Sequence, residues 1–232
     1  MKKAIAFAAF VGLGIATVAR AEGTTREATE DRLRHAGEVL QAVMGAPDKG
    51  IPDEVLHNAK CIAVVPHLLK GGFVFGAENG RGVATCRTAN GWSAPSFFTI
   101  TGGNWGLQIG VEGIDLVMIF QGDKGMDRLI NSKFEIGADA SVAAGPVGRH
   151  ASADTDWKMN AEILTYSRAK GIFAGVTLNG AGVRRDDDST EAFYGHEIPT
   201  RDILHGMVPP PPGSGAFLDS IREAKAQAAS TR

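Results

Sequence analysis

The sequence predicts an α+β fold, in which a curved, mostly antiparallel, glycine-rich sheet approaches a partial barrel and short helices lie at its ends. Side chains of alternating size run along residues 133–140 and 172–178, and a period of two is typical of strands. Glycines recur inside these apolar segments, where they indicate bends, bulges or close packing of the sheet. Helical spacing is concentrated near the two ends of the chain, as in α+β proteins.

Residues 1–21 are predicted to be a secretory signal peptide. Lys2 and Lys3 precede an apolar run of about 16 residues, and Ala19-Arg20-Ala21 offers small residues for cleavage. The alternative is a membrane anchor, but a membrane-spanning helix needs about 20 apolar residues. We therefore expect a mature protein in the bacterial periplasm or outside the cell, either free or peripherally attached to a membrane.

The charge of the mature chain argues against a general attraction for polyanions. Removal of Lys2, Lys3 and Arg20 leaves 21 basic residues (24 less 3) against 26 acidic ones, a net charge of −5. Nucleic acid is therefore disfavoured as a partner. Any binding of phosphate groups must come from a local cluster of cations.

The domain is predicted to begin with an amphipathic helix. Thr24 and Glu27 fit a capping box. The apolar positions that follow have helical spacing: Leu33, Ala36, Leu40 and Val43. Acidic residues balance the arginines on the polar face, whereas helices that lie on membranes are rich in Lys and Arg there. We therefore expect this helix to pack on the domain rather than to insert into a membrane.

A short helix and a buried strand are predicted next. Pro52 suits the first turn of a helix that ends at Asn58. Cys61–Val65 is an apolar run too short for a helix, and Pro66 follows it. We expect this run to form a buried strand that ends at the proline.

Two Asn-Gly pairs predict hairpins in the following stretch. Glu78-Asn79-Gly80 is interpreted as the turn between strands at 70–76 and 82–86. Asn90-Gly91 is interpreted as a second turn, before a strand at 96–101. Together they indicate a run of antiparallel strands.

The middle of the chain predicts further strands and one helix. Gly102-Gly103 opens a strand that continues to Val111, and Asp115–Phe120 is another apolar strand. Asp123 is predicted to cap the short helix that follows. Ile163–Tyr166 then leads into the strand at 172–178.

The last part of the chain predicts helices and a stiff spacer. Arg184–Asp188 is interpreted as a solvated turn, and Thr200 as the cap of a short helix. Prolines at 209–212 form an extended spacer. Ser214 opens a final helix whose apolar stripe is Phe217, Leu218 and Ile221. We therefore expect one domain over residues 22–208, followed by a spacer and helix over 209–232.

Several ordered blocks of this sequence resemble one family. They read LLKGGFVFGAENGRGVATCR, GWSAPSFFTITGGNWGLQIGVEGIDLVMIF, KFEIGADASVAAGPVGR, AEILTYSRAKGIFAGVTLNG and EAFYG, over roughly residues 45–205. This pattern is similar to the SYLF domain, also called the Ysc84 or lipid-binding actin-organiser domain. The resemblance implies a non-enzymatic lipid-binding module. Eukaryotic members also organise actin, but a bacterial-type signal peptide argues against actin as a partner here.

Two cysteines, Cys61 and Cys86, form an even count in a chain predicted to enter an oxidising compartment. They could close a loop of about 25 residues with a disulfide. The alternative is a pair of buried thiols on neighbouring strands. The sequence leaves both open, because bonding depends on geometry.

The sequence does not support a catalytic or metal-binding site. Ser167 and Lys170 match the S-x-x-K nucleophile motif of penicillin-binding enzymes, but neither S-D-N nor K-T-G is present. We interpret this segment as a bend between strands. The six histidines lack metal-ligand spacing, and no phosphate-binding loop occurs. We therefore expect no catalytic residue, metal or cofactor.

Basic residues at the ends of predicted strands are the remaining candidates for a site: Lys60, Lys70, Lys133, Arg149, Arg168 and Lys170. Lys and Arg bind phosphate directly, so we predict that these residues converge on acidic phospholipid headgroups in the cell envelope. The alternative is that each is an ordinary solvated charge. The competing function is a structural or protein-interaction role in the envelope, with residues 209–232 as the contact surface.

Overall fold

The described strands of this protein form one curled sheet, a half-barrel in which all but one of their pairings are antiparallel. The computed structural model describes residues 24–46, 50–72, 75–105, 110–131, 133–145, 161–169, 172–173 and 178–230. The predicted signal peptide, Arg149 and Lys170 lie outside these residues. Within the described ranges the sheet has ten strands, in the order β6-β10-β4-β2-β1-β5-β8-β7, with β3 beside β2 and β9 beside β8.

The strand bounds follow the chain. They are β1 Ala59–Gly72, β2 Phe75–Thr88, β3 Gly91–Trp92, β4 Ser96–Trp105, β5 Gly110–Gln121, β6 Lys133–Glu135, β7 Val142–Ala144, β8 Ile163–Ala169, β9 Ile172–Phe173 and β10 Gly182–Arg185. Among the described strands, only β7 and β8 pair in parallel. The predicted α+β class with a curved, mostly antiparallel sheet is confirmed.

The described helices are α1 Arg26–Met44, α2 Asp53–Asn58, α3 Gly122–Ile130, α4 Asp187–Tyr194, α5 Thr200–Leu204 and α6 Gly215–Ser230. Thr25, not Thr24, caps α1, because its hydroxyl accepts a hydrogen bond from the Ala28 amide at 3.2 Å. Asp123 lies in the first turn of α3 instead of capping it, since Gln121 is at the cap position. Thr200 is likewise the first residue of α5, after Pro199.

Strand alternation divides the core between the two faces of the sheet. Val64, Val83 and Val117 share one face with the buried sides of α1 and α6. Ala63 and Met118 point to the other face, where α3, β6 and β10 cover them. The sheet is therefore buried on both faces along its central strands, as their continuous apolar runs predict.

The predicted turn at Glu78-Asn79-Gly80 is wrong. β2 runs straight through these residues, and Asn79 pairs with Leu69 on β1 and Thr101 on β4. A Cβ atom at Gly80 would lie 2.6 Å from Val65 Cγ1 and 2.7 Å from Leu68 Cδ1. The glycine therefore allows β1 side chains to pack against β2, and it does not make a turn.

Two other boundaries differ because strands bend without ending. β1 continues past Pro66 through an irregularity in which its pairing shifts register, and His67 there has φ of +58°. Gly102 and Gly103 lie inside β4, not before a new strand. By contrast, Asn90-Gly91 forms the predicted hairpin turn between β2 and β3, with φ of +123° at Gly91.

The alternation along residues 133–140 does not form one strand. β6 ends at Glu135, and Gly137, with φ of +90°, turns the chain back so that Ile136 bridges Ala140. Phe134, Ile136 and Ala140 are buried, whereas Ala138, at the same parity, is exposed at the turn. Of the strand predicted at 172–178, the structure describes β9; residues 174–177 lie outside the described part.

The C-terminal helix packs against the N-terminal one. The predicted stripe of Phe217, Leu218 and Ile221 is buried in the same core as α1. Gly37 on α1 lets the backbone approach closely, since a Cβ there would lie 2.6 Å from the Ala216 carbonyl oxygen. The proline segment is tied down as well, because Arg26 donates to the Pro212 carbonyl at 2.8 Å.

A disulfide joins the two central strands. Cys61 on β1 and Cys86 on β2 are directly paired in the sheet, both completely buried, and bonded to each other. Of the two alternatives left open by the sequence, the structure has the bond. It ties together the hairpin that forms the middle of the sheet.

Candidate functional site

Lys60 and Lys70 are not brought together by the fold. They lie ten residues apart on β1, a separation of about 33 Å along a strand. Lys60 is ion-paired with Asp123 at 3.0 Å. Lys70 is ion-paired with Glu78 at 2.9 Å, and their side chains are only 7% and 4% exposed. Lys70 is therefore part of a buried cross-strand pair and not of a surface patch.

Two other predicted cations lie on separate strands. Arg168 is half-buried on β8, opposite Asp115 of β5. Lys133 is exposed on β6, the strand at one edge of the sheet. Among the residues described, the predicted set thus does not form one cluster.

The register of the sheet instead builds a different cationic row. Lys133 on β6 pairs with Arg184 on β10, Arg184 pairs with Thr99 on β4, and Thr99 pairs with Arg81 on β2. Paired residues project from the same face of a sheet. We call Lys133, Arg184 and Arg81 the basic row. All three are exposed.

The basic row carries unopposed positive charge. Strands lie about 4.8 Å apart, so Lys133 and Arg184 are direct neighbours and Arg81 is about 10 Å farther along the row. Within the described part of the chain, none of the three forms an ion pair. Like charges directly opposite each other destabilise a sheet. An anion bound along the row would relieve that repulsion.

The sequence predicted only Lys133 of this row. Arg184 was assigned to a solvated turn, but it belongs to β10, and Arg81 sits just after the wrongly predicted turn in β2. Val183, an apolar residue directly before two arginines, was the available signal, and in β10 it is buried while Arg184 and Arg185 are exposed. The pairing of three strands distant in sequence had no local signal.

Arg81, the member of the basic row next to α1, lies beside a set of buried polar contacts. Arg32 donates to the Asp186 carboxylate at 3.2 Å and to the Ser189 hydroxyl at 3.1 Å. Burial lowers the pKa of Arg32; the Asp186 carboxylate opposes that shift and the nearby Arg81 guanidinium adds to it. Arg81 donates to the Thr24 hydroxyl at 3.3 Å. Two guanidinium groups therefore lie close together here.

The Asp186 contacts also correct the prediction of a solvated turn at Arg184–Asp188. Asp186 is buried and caps α4 through the Ser189 amide, while Asp187 and Asp188 lie in the first turn of the helix. Acidic residues in the first turn of a helix are stabilised by its dipole.

A groove of about 700 Å³ opens beside Arg81, between α1 and the irregular part of β1. Arg32 and Val39 belong to its helical wall, and Arg81, Leu69 and Asp115 to its sheet wall. Leu69 is 44% exposed, unusual for a large apolar side chain in this protein. The groove therefore combines an apolar floor with charges of both signs.

Other candidate chemistry finds little support in the geometry. Ser167 is buried within β8 and only 6% exposed. β8 and β9 pair antiparallel through Arg168 with Phe173 and Ala169 with Ile172, so the chain reverses between these strands as predicted, while Lys170 lies outside the described residues. In the ranges described, His, Cys, Asp and Glu form no group suited to holding a metal ion. None of the described helices has the length and apolar character needed to cross a membrane.

Fold and site together define a half-barrel module with a cationic face. The family model described as "Ysc84: Las17-binding protein actin regulator" matches residues 101–224, just over half of the chain. The chain belongs to the Ysc84 family, also known as the SYLF domain family. The predicted family is confirmed.

The curated relatives that the chain matches include eukaryotic proteins. SH3 domain-containing YSC84-like protein 1 of Homo sapiens is 35% identical over 182 residues, covering 76% of this chain and 53% of the relative. The Rattus norvegicus protein of that name is 36% identical over 167 residues, 71% and 49% respectively. LAS seventeen-binding protein 3 of Saccharomyces cerevisiae is 36% identical over 174 residues, 73% and 38%. This chain thus spans about half or less of the length of these relatives.

Proposed function

We propose that this protein is a non-enzymatic module that binds acidic phospholipid headgroups at a membrane surface of the bacterial cell envelope. The observation that carries the proposal is the basic row, three exposed cations from three strands with no carboxylate paired to them among the described residues. The envelope location rests on the predicted signal peptide. Non-enzymatic action agrees with the name of LAS seventeen-binding protein 3 and with the family description, both of which name a binding protein.

The charge distribution favours headgroups on a surface over a long polyanion. Arg and Lys form charge-assisted hydrogen bonds to phosphate. Within a Debye length of about 8–10 Å, an anionic membrane experiences the nearby row more strongly than the acidic remainder of the molecule. Nucleic acid would extend past the row onto that acidic surface. Of the predicted cations that the structure describes, Lys133 is the one that belongs to the basic row.

Vesicle sedimentation tests the proposal. Mature protein, residues 22–232, is mixed at low salt with vesicles of a neutral phospholipid that carries no primary amine, with and without an acidic phospholipid. We expect binding only when the acidic lipid is present, and a steep loss of binding as salt is raised. The triple variant Arg81→Gln, Arg184→Gln, Lys133→Gln should lose this binding.

A matched control removes the same charge elsewhere. Lys124→Gln, Arg201→Gln and Lys225→Gln are exposed positions outside the row, and this triple variant should bind like the unaltered protein. Equal loss in both triple variants would mean that net charge matters and the row does not. No preference for acidic vesicles in the unaltered protein would overturn the proposal.

A protein-interaction role is the second candidate, and the names of the relatives favour it. LAS seventeen-binding protein 3 is named for a protein partner, and the family description names an actin regulator. Actin is not a partner we propose here, because of the predicted export from a bacterial cytoplasm. Lack of vesicle binding together with stable capture of one envelope protein, retained in both triple variants, would support this role.

A further inference from the structure

The groove beside the basic row has two different walls. Along α1 it is lined from Ala28 to Ala42, a length of about 21 Å at 1.5 Å per residue. The opposite wall crosses three adjacent strands, from Arg81 on β2, over Pro66 to Leu69 on β1, to Asp115 on β5. Arg81 and Asp115 therefore face the same groove from the two sides of β1.

An irregularity in β1 keeps these opposite charges apart. His67 has φ of +58°, and its backbone N–H donates to Asp115 Oδ1 at 3.2 Å. The His67 ring lies against Gly113, where a Cβ would approach its Cε1 to 2.2 Å. Two strand spacings place the Cα atoms of Arg81 and Asp115 about 10 Å apart. A ligand, not a direct ion pair, can bridge them.

Neither charge is neutralised by an ion pair in the described part of the chain. Arg81 donates to a neutral hydroxyl, that of Thr24, and Asp115 accepts from a neutral amide, that of His67. The other acids of the groove differ, because Asp31 and Glu38 both hold Arg34. Arg81 and Asp115 are thus the two groove charges available to a ligand, with exposed Leu69 between them, and Arg168 of β8 lies opposite Asp115 in the sheet.

We propose that this groove binds the zwitterionic headgroup of an aminophospholipid, with its phosphate at Arg81 and its ammonium group at Asp115. A pure anion would meet the Asp115 carboxylate, and a pure cation would meet Arg81. A phosphate ester that carries an amine satisfies both, and its methylene groups contact Leu69. A volume of about 700 Å³ is within the range of small-molecule sites. This inference rests on the proposed phospholipid function and names a second headgroup, which shares Arg81 with the basic row.

Three soluble probes separate the parts of the headgroup: O-phosphoethanolamine, ethyl phosphate and ethanolamine. Binding is measured by NMR titration of the mature protein. We expect O-phosphoethanolamine to bind about tenfold tighter than ethyl phosphate, the effect of one added charge-assisted hydrogen bond. Ethanolamine alone should bind weakly, and the shifted resonances should include Leu69 and His67.

Two variants test whether the phosphate of the probe lies at Arg81 and its ammonium group at Asp115. Asp115→Asn keeps an oxygen for the His67 amide but removes the charge, so the two phosphate probes should then bind equally. Arg81→Gln should weaken both phosphate probes. Glu197→Gln, an exposed carboxylate between α4 and α5, is the matched control and should preserve the tenfold ratio. The spectrum of each variant verifies that it is folded.

The inference is overturned if ethyl phosphate binds the unaltered protein as tightly as O-phosphoethanolamine, or if the preference survives in folded Asp115→Asn. Its failure is distinguishable from failure of the proposed function. Lys133→Gln with Arg184→Gln should weaken binding to acidic vesicles while leaving the soluble-probe preference intact. Loss of acidic-vesicle binding with the soluble-probe preference intact would therefore concern the basic row and not headgroup binding in the groove.

Discussion

At the scale of single residues, Gly80 shows how a close approach between strands depends on the absence of a side chain. Gly80→Ala should reduce the free energy of unfolding by about 1–3 kcal/mol, the usual cost of overpacking, because Val65 and Leu68 already occupy the space. Equilibrium urea unfolding measures the change. Gly182→Ala is the control, since its added Cβ would lie 3.6 Å from the nearest atom, the Thr101 oxygen. Equal losses would contradict the packing role of Gly80.

The buried ion pair between α1 and α4 gives a second prediction at this scale. Arg32 and Asp186 are 8% and 7% exposed, so Arg32→Met leaves a buried carboxylate without its cation. We expect a loss of about 3–5 kcal/mol in the free energy of unfolding. Arg34→Met removes an arginine whose ion pairs are exposed, and should cause little change. A small effect at Arg32 would mean that Asp186 finds other partners.

Residue types predicted the burial of side chains better than their role in turns. Leu33 and Phe217 are buried because helical spacing directs them to the core, and that spacing is visible in the sequence. Asn79-Gly80 has the composition of a turn, yet it lies in a central strand. Asn79-Gly80 lies in a strand because Leu68 packs on the glycine. Tertiary packing of this kind leaves no local pattern in the sequence.

At the scale of elements, the disulfide between β1 and β2 should contribute substantially to stability. It closes a separation of 25 residues, which the loop-entropy relation values at about 3 kcal/mol. Cys61→Ala with Cys86→Ala should lower the midpoint of urea unfolding accordingly, without changing the strand content seen by circular dichroism. The unaltered protein in reductant should behave likewise. An unchanged midpoint would show that sheet pairing alone sets the stability of this hairpin.

The candidate site also shows that the pairing of strands cannot be predicted from the sequence of each strand. Arg81, Arg184 and Lys133 belong to three strands, and the row exists because Thr99 pairs with both arginines. Periodicity can assign each side chain to a face of its own strand, but it does not reveal which strands are neighbours. The class of site, a local cluster of cations on an acidic protein, could be predicted; its members could not.

At the scale of the whole molecule, helices α1 and α6 together complete one helical layer over the sheet. Gln41 on α1 donates to Glu223 on α6 at 2.7 Å, and Phe217 is completely buried in the core that they share. α6 is therefore an integral part of this layer. Residues 209–232 would not act as an independent contact segment.

Removal of residues 209–232 should for this reason destabilise the entire molecule. Loss of Phe217, Leu218 and Ile221 uncovers the apolar face of α1, and deletion of one such aromatic side chain alone costs about 3–5 kcal/mol. Hydrogen exchange should therefore accelerate in α1 and in β1, not only near the cut. Phe217→Ala in the full chain is the milder test and should accelerate the same amides to a smaller extent. Unchanged exchange in β1 after truncation would show that the sheet is stable without the layer and would restore the tail as a candidate contact surface.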